Sequence, residues 1–172
     1  MGEITGYFHI LGQNLSNAQG NAHVSKTLWF ETWIQFNKVM IMGTWAAGSF
    51  GNDAAGDWVM ELRETPTYEF IRETMQASMD IPDDASVNAP AVAAAEVLCI
   101  LEGKIPADYE EVSHNLEPAI AILRQQKMPN DLKHLAIECL NMIASDSELK
   151  ELWEDMEEWT TEINNLKNRL QK

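Results

Sequence analysis

The sequence predicts an all-α protein, a compact bundle of about five to six helices with a long C-terminal helix, preceded by an irregular N-terminal extension. Three observations carry that prediction. From Met42 onward, apolar residues recur at intervals of three and four, the period that stacks side chains along one helix face. Ser, Asn, Asp, Gly and Pro punctuate these segments where helix ends leave backbone N–H and C=O groups without partners. Charge also changes abruptly. Residues 1–41 hold Glu3, Glu31, Lys26 and Lys38, which cancel, leaving 25 of the 27 acids and 10 of the 12 bases, and so the whole net charge of −15, on residues 42–172.

Within the extension, "GQNLSNAQGNAHVSK" is polar and weakly charged and reads as loop, while "TLWFETWIQFNKVMIM" suits a short strand or an amphipathic helix. The first helix of the domain starts at Asn52 or Asp53, either of which can accept from an orphan N–H, with Ala55, Val59 and Leu62 on its inner face. Thr65-Pro66 ends it and opens a second helix, since Pro is tolerated at the first helical position and not inside. Tyr68, Ile71, Met75 and Met79 line that helix. "DIPDDASVNAP" reads as a connecting loop. "AVAAAEVLCILEG" is apolar nearly all round, the mark of a central buried helix, with Gly103 as its C-terminal cap.

Pro118 is expected to split "EEVSHNLEPAIAILRQQK" and leave Ile120–Arg124 as its better helical part. The next helix shows Leu132, Leu135, Cys139, Leu140 and Ile143 on one side. "SDSE" then suggests a capping box between Ser145 and Glu148. Last, Leu149, Leu152, Met156, Trp159, Ile163, Leu166 and Leu170 form a heptad seam, suited to docking on the same chain or to a homodimer through the C-terminal helix.

Bulk properties bound the function. No apolar run reaches the ~20 residues a membrane-crossing helix needs, and the N-terminus lacks the basic-then-apolar pattern of a secretory signal. Cys99 and Cys139 both sit in apolar helical runs and read as reduced core thiols, which fits a cytoplasmic location. The acidic surface disfavours nucleic acid and anionic lipid and would steer a cationic partner inward.

Few groups converge for chemistry. His9, His23, His114 and His134 are scattered, and no Cys-x-x-Cys or His-Glu-x-x-His pattern occurs, so no metal or other cofactor is expected. There is no Gly-x-Ser-x-Gly elbow, phosphate loop or dinucleotide fingerprint. Asp53 and Asp57, four apart, could form an acid/base pair or hold a hard cation. Alternatively, Asp53 caps the helix and Asp57 anchors a backbone or indole N–H. Trp45 and Trp58 are core anchors or an aromatic patch. The acidic residues Glu148, Glu151, Glu154, Asp155 and Glu158 form a solvated face or a docking face for a basic protein.

Residues 42–62 resemble the opening signature of a bacterial family called domain of unknown function 4259: Met42-Gly43-x-Trp45, Gly48-x-Phe50, then Asn52-Asp53-x-Ala55-x-Asp57-Trp58. "SELKELWED", from Ser147 to Asp155, is similar to the family's closing motif. Ala46 departs from the pattern, a Gly being common there. The resemblance spans 42–172, implies a small, mostly helical cytoplasmic protein, and brings no catalytic residues with it. It makes Met42 a candidate natural start, with 1–41 an extension or an upstream stretch read in frame.

Three functions follow as expectations. The first is a non-catalytic protein-binding module, of the immunity or antitoxin type, that blocks a basic toxin. The second is an enzyme built on Asn52, Asp53 and Asp57 beside the indoles of Trp45 and Trp58. The third is a scaffold that self-associates through the 149–170 seam.

Overall fold

Among the described residues of the computed structural model, seven helices follow one another: α1 (Asp53–Glu64), α2 (Tyr68–Asp80), α3 (Ala85–Leu101), α4 (Tyr109–Leu123), α5 (Leu132–Ser145), α6 (Glu148–Glu151) and α7 (Met156–Gln171). The structure describes residues 48–172 apart from 108, 146, 154 and 155, and of Met156 only the backbone. The chain divides after Met42 into two units, of which only the second, Gly43–Lys172, holds described residues. The readings made for residues 1–41 and for Trp45 therefore lie outside them. No strand occurs among the described residues, and no helix there is long and apolar enough to cross a membrane.

The architecture is an all-α bundle arranged around α3, which packs against each of the other six helices. Its sequence dictates that place. Every residue from Ala91 to Ile100 is buried, so this helix has no face for water and needs neighbours all round. The outer helices supply them with one apolar stripe each: Ala55, Trp58, Val59 and Leu62 from α1, Leu132, Ala136, Cys139, Leu140 and Ile143 from α5. Burying such residues at about 1.5–3 kcal/mol for each large side chain is the main force holding the bundle.

α3 ends as the sequence predicts. Gly103 takes φ 81°, its N–H reaches the Ile100 carbonyl and the Lys104 N–H reaches that of Cys99, a Schellman closure that glycine makes without steric cost. Its start differs from the expected loop. Helix begins at Ala85 and runs through Pro90. Asp84 accepts from the Ser86 N–H and hydroxyl, and Glu148 Oε2 accepts from the Ala85 N–H at 3.0 Å. These bonds satisfy the first turn well enough to offset the one backbone bond that Pro90 removes.

Other boundaries also move. Thr67, not Pro66, precedes α2 and caps it through the Phe70 N–H. α4 is unbroken by Pro118, which lies with His114 on the exposed face of the helix, where water can satisfy the carbonyl that proline cannot bond. The capping box does not form. Ser145 is the last residue of α5 and bonds back to the Met142 carbonyl, so Ser147 caps α6 instead by accepting from the Lys150 N–H.

The heptad seam is likewise not one helix. It breaks after α6, where Leu152 stands 44% exposed, and among the described side chains Trp159, Ile163, Leu166 and Leu170 continue it on α7. Those four are buried against α3 and α5 of the same chain. The stripe that suggested a homodimer is already covered.

Both cysteines are free and lie in the core, where burial pushes their thiols up to about 11. A thiol of that kind is scarcely ionised at pH 8. The native protein should therefore react with a disulfide reagent at least about a hundredfold more slowly than the urea-unfolded chain. Comparable rates, read from absorbance of the released thiol, would contradict the buried placement.

Candidate functional site

The signature loop and α1 are built from two kinds of residue. Inward ones pack: Phe50 is buried, and Trp58 lies stacked on Phe70 with ring centroids 6.0 Å apart. The indole N–H of Trp58 donates to Thr74 Oγ1 at 2.8 Å, and that hydroxyl donates onward to the Phe70 carbonyl. Thr74 thus anchors the indole in place of the Asp57 considered from sequence. Asn52 is the cap of α1, its Oδ1 accepting from the Ala55 N–H at 2.8 Å. Asp53 sits in the first turn without capping it, a position the helix dipole favours.

The outward residues form a second set. Asp53, Asp57, Met60 and Glu61 share one exposed stripe at helical spacing. The side chains of Asp53, Asp57 and Glu61 make no hydrogen bond or ion pair among the described residues. Two open hollows flank this stripe and share Ala54 and Ser86. One is bounded by Asn52, Asp53, Asp84 and Glu148. The other has Asp57 and Glu61 on one bank and Trp58, Ala77, Val87 and Pro90 as an apolar bed. The fold therefore brings Asn52, Asp53 and Glu148 to one hollow and Asp57 and Trp58 to its neighbour, two adjoining hollows that together make the groove along α1, although Glu148 is far from the others in sequence.

The proposed acidic docking face is not gathered in the same way. Glu148 turns toward the start of α3, while Glu151 and Glu158 are exposed on α6 and α7, either side of the break. Glu154 and Asp155 lie outside the described residues. Trp153 folds from this break onto Trp159, centroids 5.0 Å apart. Among the described residues, no group of three or more His, Cys, Asp or Glu is arranged to hold a metal ion.

A second cluster escaped the sequence reading. Glu96, 1% exposed in the middle of α3, takes a bidentate bond from the Arg169 guanidinium of α7, with Nη2 to Oε2 at 2.6 Å. Ser49 Oγ donates to the same Oε2 at 3.0 Å. The pair floors an open cleft of about 510 Å³ rimmed by Asn165, Asn168 and Lys172. Its signal was in the sequence: one carboxylate among nine apolar residues in the stretch Ala91–Ile100. A buried carboxylate needs a cation, and Arg is the side chain suited to bidentate pairing.

A family model described as Domain of unknown function (DUF4259) matches residues 43–164. The chain belongs to this family. The DUF4259 match begins at the signature loop, includes α1 to α6 and ends inside α7, so it contains the groove and Glu96 but stops before Arg169. No curated protein and no solved structure matches the chain.

Cap and stripe separate cleanly under substitution. Asn52→Ala should lower unfolding free energy by about 1 kcal/mol, the usual worth of an N-cap. Asp57→Asn should stay within about 0.5 kcal/mol, as surface changes do. Urea titrations check both, and a larger loss for Asp57→Asn would assign it a structural partner.

Proposed function

We propose that this chain is a non-catalytic binding module for a basic protein, of the immunity or antitoxin kind, and that the α1 groove is where the partner docks. The single observation that carries the reading is the division of labour within α1. Its described inward residues are engaged in packing, while Asp53, Asp57 and Glu61 are held outward with no side-chain hydrogen bond or ion pair among the described residues.

Physical chemistry favours a cationic protein as the occupant. Carboxylates on a rim steer lysine- and arginine-rich surfaces during encounter, and an apolar bed beside them gives the contact that steering alone does not. The wider surface acts in the same direction, because residues 42–172 carry the entire −15. The rival reading of Asp53 and Asp57 as a catalytic pair has less support: both are exposed, and no His or Cys lines either hollow beside them.

Affinity capture from the producing cells at low and high salt, with identification by mass spectrometry, tests the proposal. The expected result is a stoichiometric basic protein that is released by salt. In binding kinetics with that protein, the triple variant Asp53→Asn, Asp57→Asn, Glu61→Gln should associate on the order of tenfold more slowly. A control removing the same charge at Glu110, Glu111 and Glu138 should change association far less. Absence of any basic partner at low salt would overturn the binding reading, and equal effects of the two variants would overturn the groove.

A further inference from the structure

α7 carries a second stripe, which the core does not use. Glu162, Asn165 and Arg169 follow at intervals of three and four, with Lys172 just past the helix end, and all four line the open cleft of about 510 Å³ floored by Glu96. The facing bank is the turn after α3, where Ile105, Pro106 and Ala107 present apolar surface. Lys104, next to that bank, donates to the Arg169 carbonyl at 2.7 Å, so the two banks are tied together. The side chains of Glu162, Asn165 and Lys172 make no hydrogen bond or ion pair among the described residues. Arg169 gives Glu96 two of its five N–H groups and keeps three.

This lining selects by charge and by length. An anion would meet Glu162 and the chain's net charge of −15, and a cation would meet Arg169 and Lys172. A molecule with no net charge, but with one charge of each sign at its ends, meets neither cost. Arg169 stands seven positions after Glu162, about 10 Å along a helix axis. Three residues of extended peptide span about the same distance. We propose that the cleft binds a short zwitterionic peptide, about three residues long, by its two ends. Glu162 accepts from the terminal ammonium, and Arg169 and Lys172 donate to the terminal carboxylate. Asn165, between them, has a donor and an acceptor for a peptide group. Ile105 and Pro106 give the peptide's side chains an apolar wall.

Nuclear magnetic resonance titration of the full, nitrogen-15-labelled chain with trialanine tests this. The expected result is saturable shifts of the backbone amides at Ile105, Ala107 and residues 162–169, with a dissociation constant at or below about 1 mM. Acetylating the amine or amidating the carboxylate of trialanine should weaken binding on the order of tenfold, the worth of one charge-assisted contact. Glu162→Gln and Lys172→Met, both at exposed positions, should weaken unmodified trialanine by as much. Asp57→Asn, in the α1 groove, should leave it unchanged. No saturable shift at these amides by about 10 mM peptide overturns the proposal. So does a response that the blocked peptides reproduce, or one that Asp57→Asn weakens as much as Glu162→Gln does.

Discussion

One carboxylate organises the inner architecture of this chain. α3 is buried on every side, and an apolar helix in that position specifies burial without specifying which neighbour sits where. Glu96 removes the ambiguity. Its charge cannot be left alone in the core, so α7 must lie where Arg169 can reach it and the signature loop where Ser49 can add its hydrogen bond. The pair ties the two ends of the described unit to its centre. Ion pairs of this kind add little net stability but discriminate strongly against arrangements that leave one partner unpaired.

The groove along α1 follows from the same placement. With the loop fixed on α3, Asn52 caps α1 and sets its direction, and Trp58 wedges against Phe70 to fix its rotation. What remains on the outer face of α1 is then determined by spacing alone: Asp53, Asp57 and Glu61, with Asp84 and Glu148 brought in by the caps of α3. Structural and exposed residues alternate within a single signature. A motif can therefore identify a family and still hold two separate roles.

How much of this was legible in the sequence depends on the range of the interaction concerned. Local physics was readable: the stripes of α1 and α5, a helix start at Asn52 or Asp53 and the Gly103 closure each rest on residues within two turns of one another, although which of Asn52 and Asp53 caps α1 was not. Pro90 and Pro118 were misjudged because their cost depends on surroundings. Pro90 is tolerated since Glu148, from a helix distant in sequence, satisfies the start of α3. Pro118 is tolerated since it lies on the exposed face of its helix, where water can satisfy the carbonyl it cannot bond. The heptad seam looked continuous because its spacing persists through Leu152, while the chain turns there. The Glu96–Arg169 pair joins residues 73 positions apart. The lone acid stands out within its apolar stretch only once a partner is sought, and that partner is one of ten bases in the domain.

A double-mutant cycle on that pair tests the central claim most directly. Urea unfolding of Arg169→Met should show a loss of about 3 kcal/mol, because Glu96 is left charged and buried, and Glu96→Leu should also destabilise by stranding the arginine. The combined variant should recover most of the stability, giving a coupling energy of at least about 2 kcal/mol. Two small, additive single effects would contradict the account and make the pair incidental to the fold.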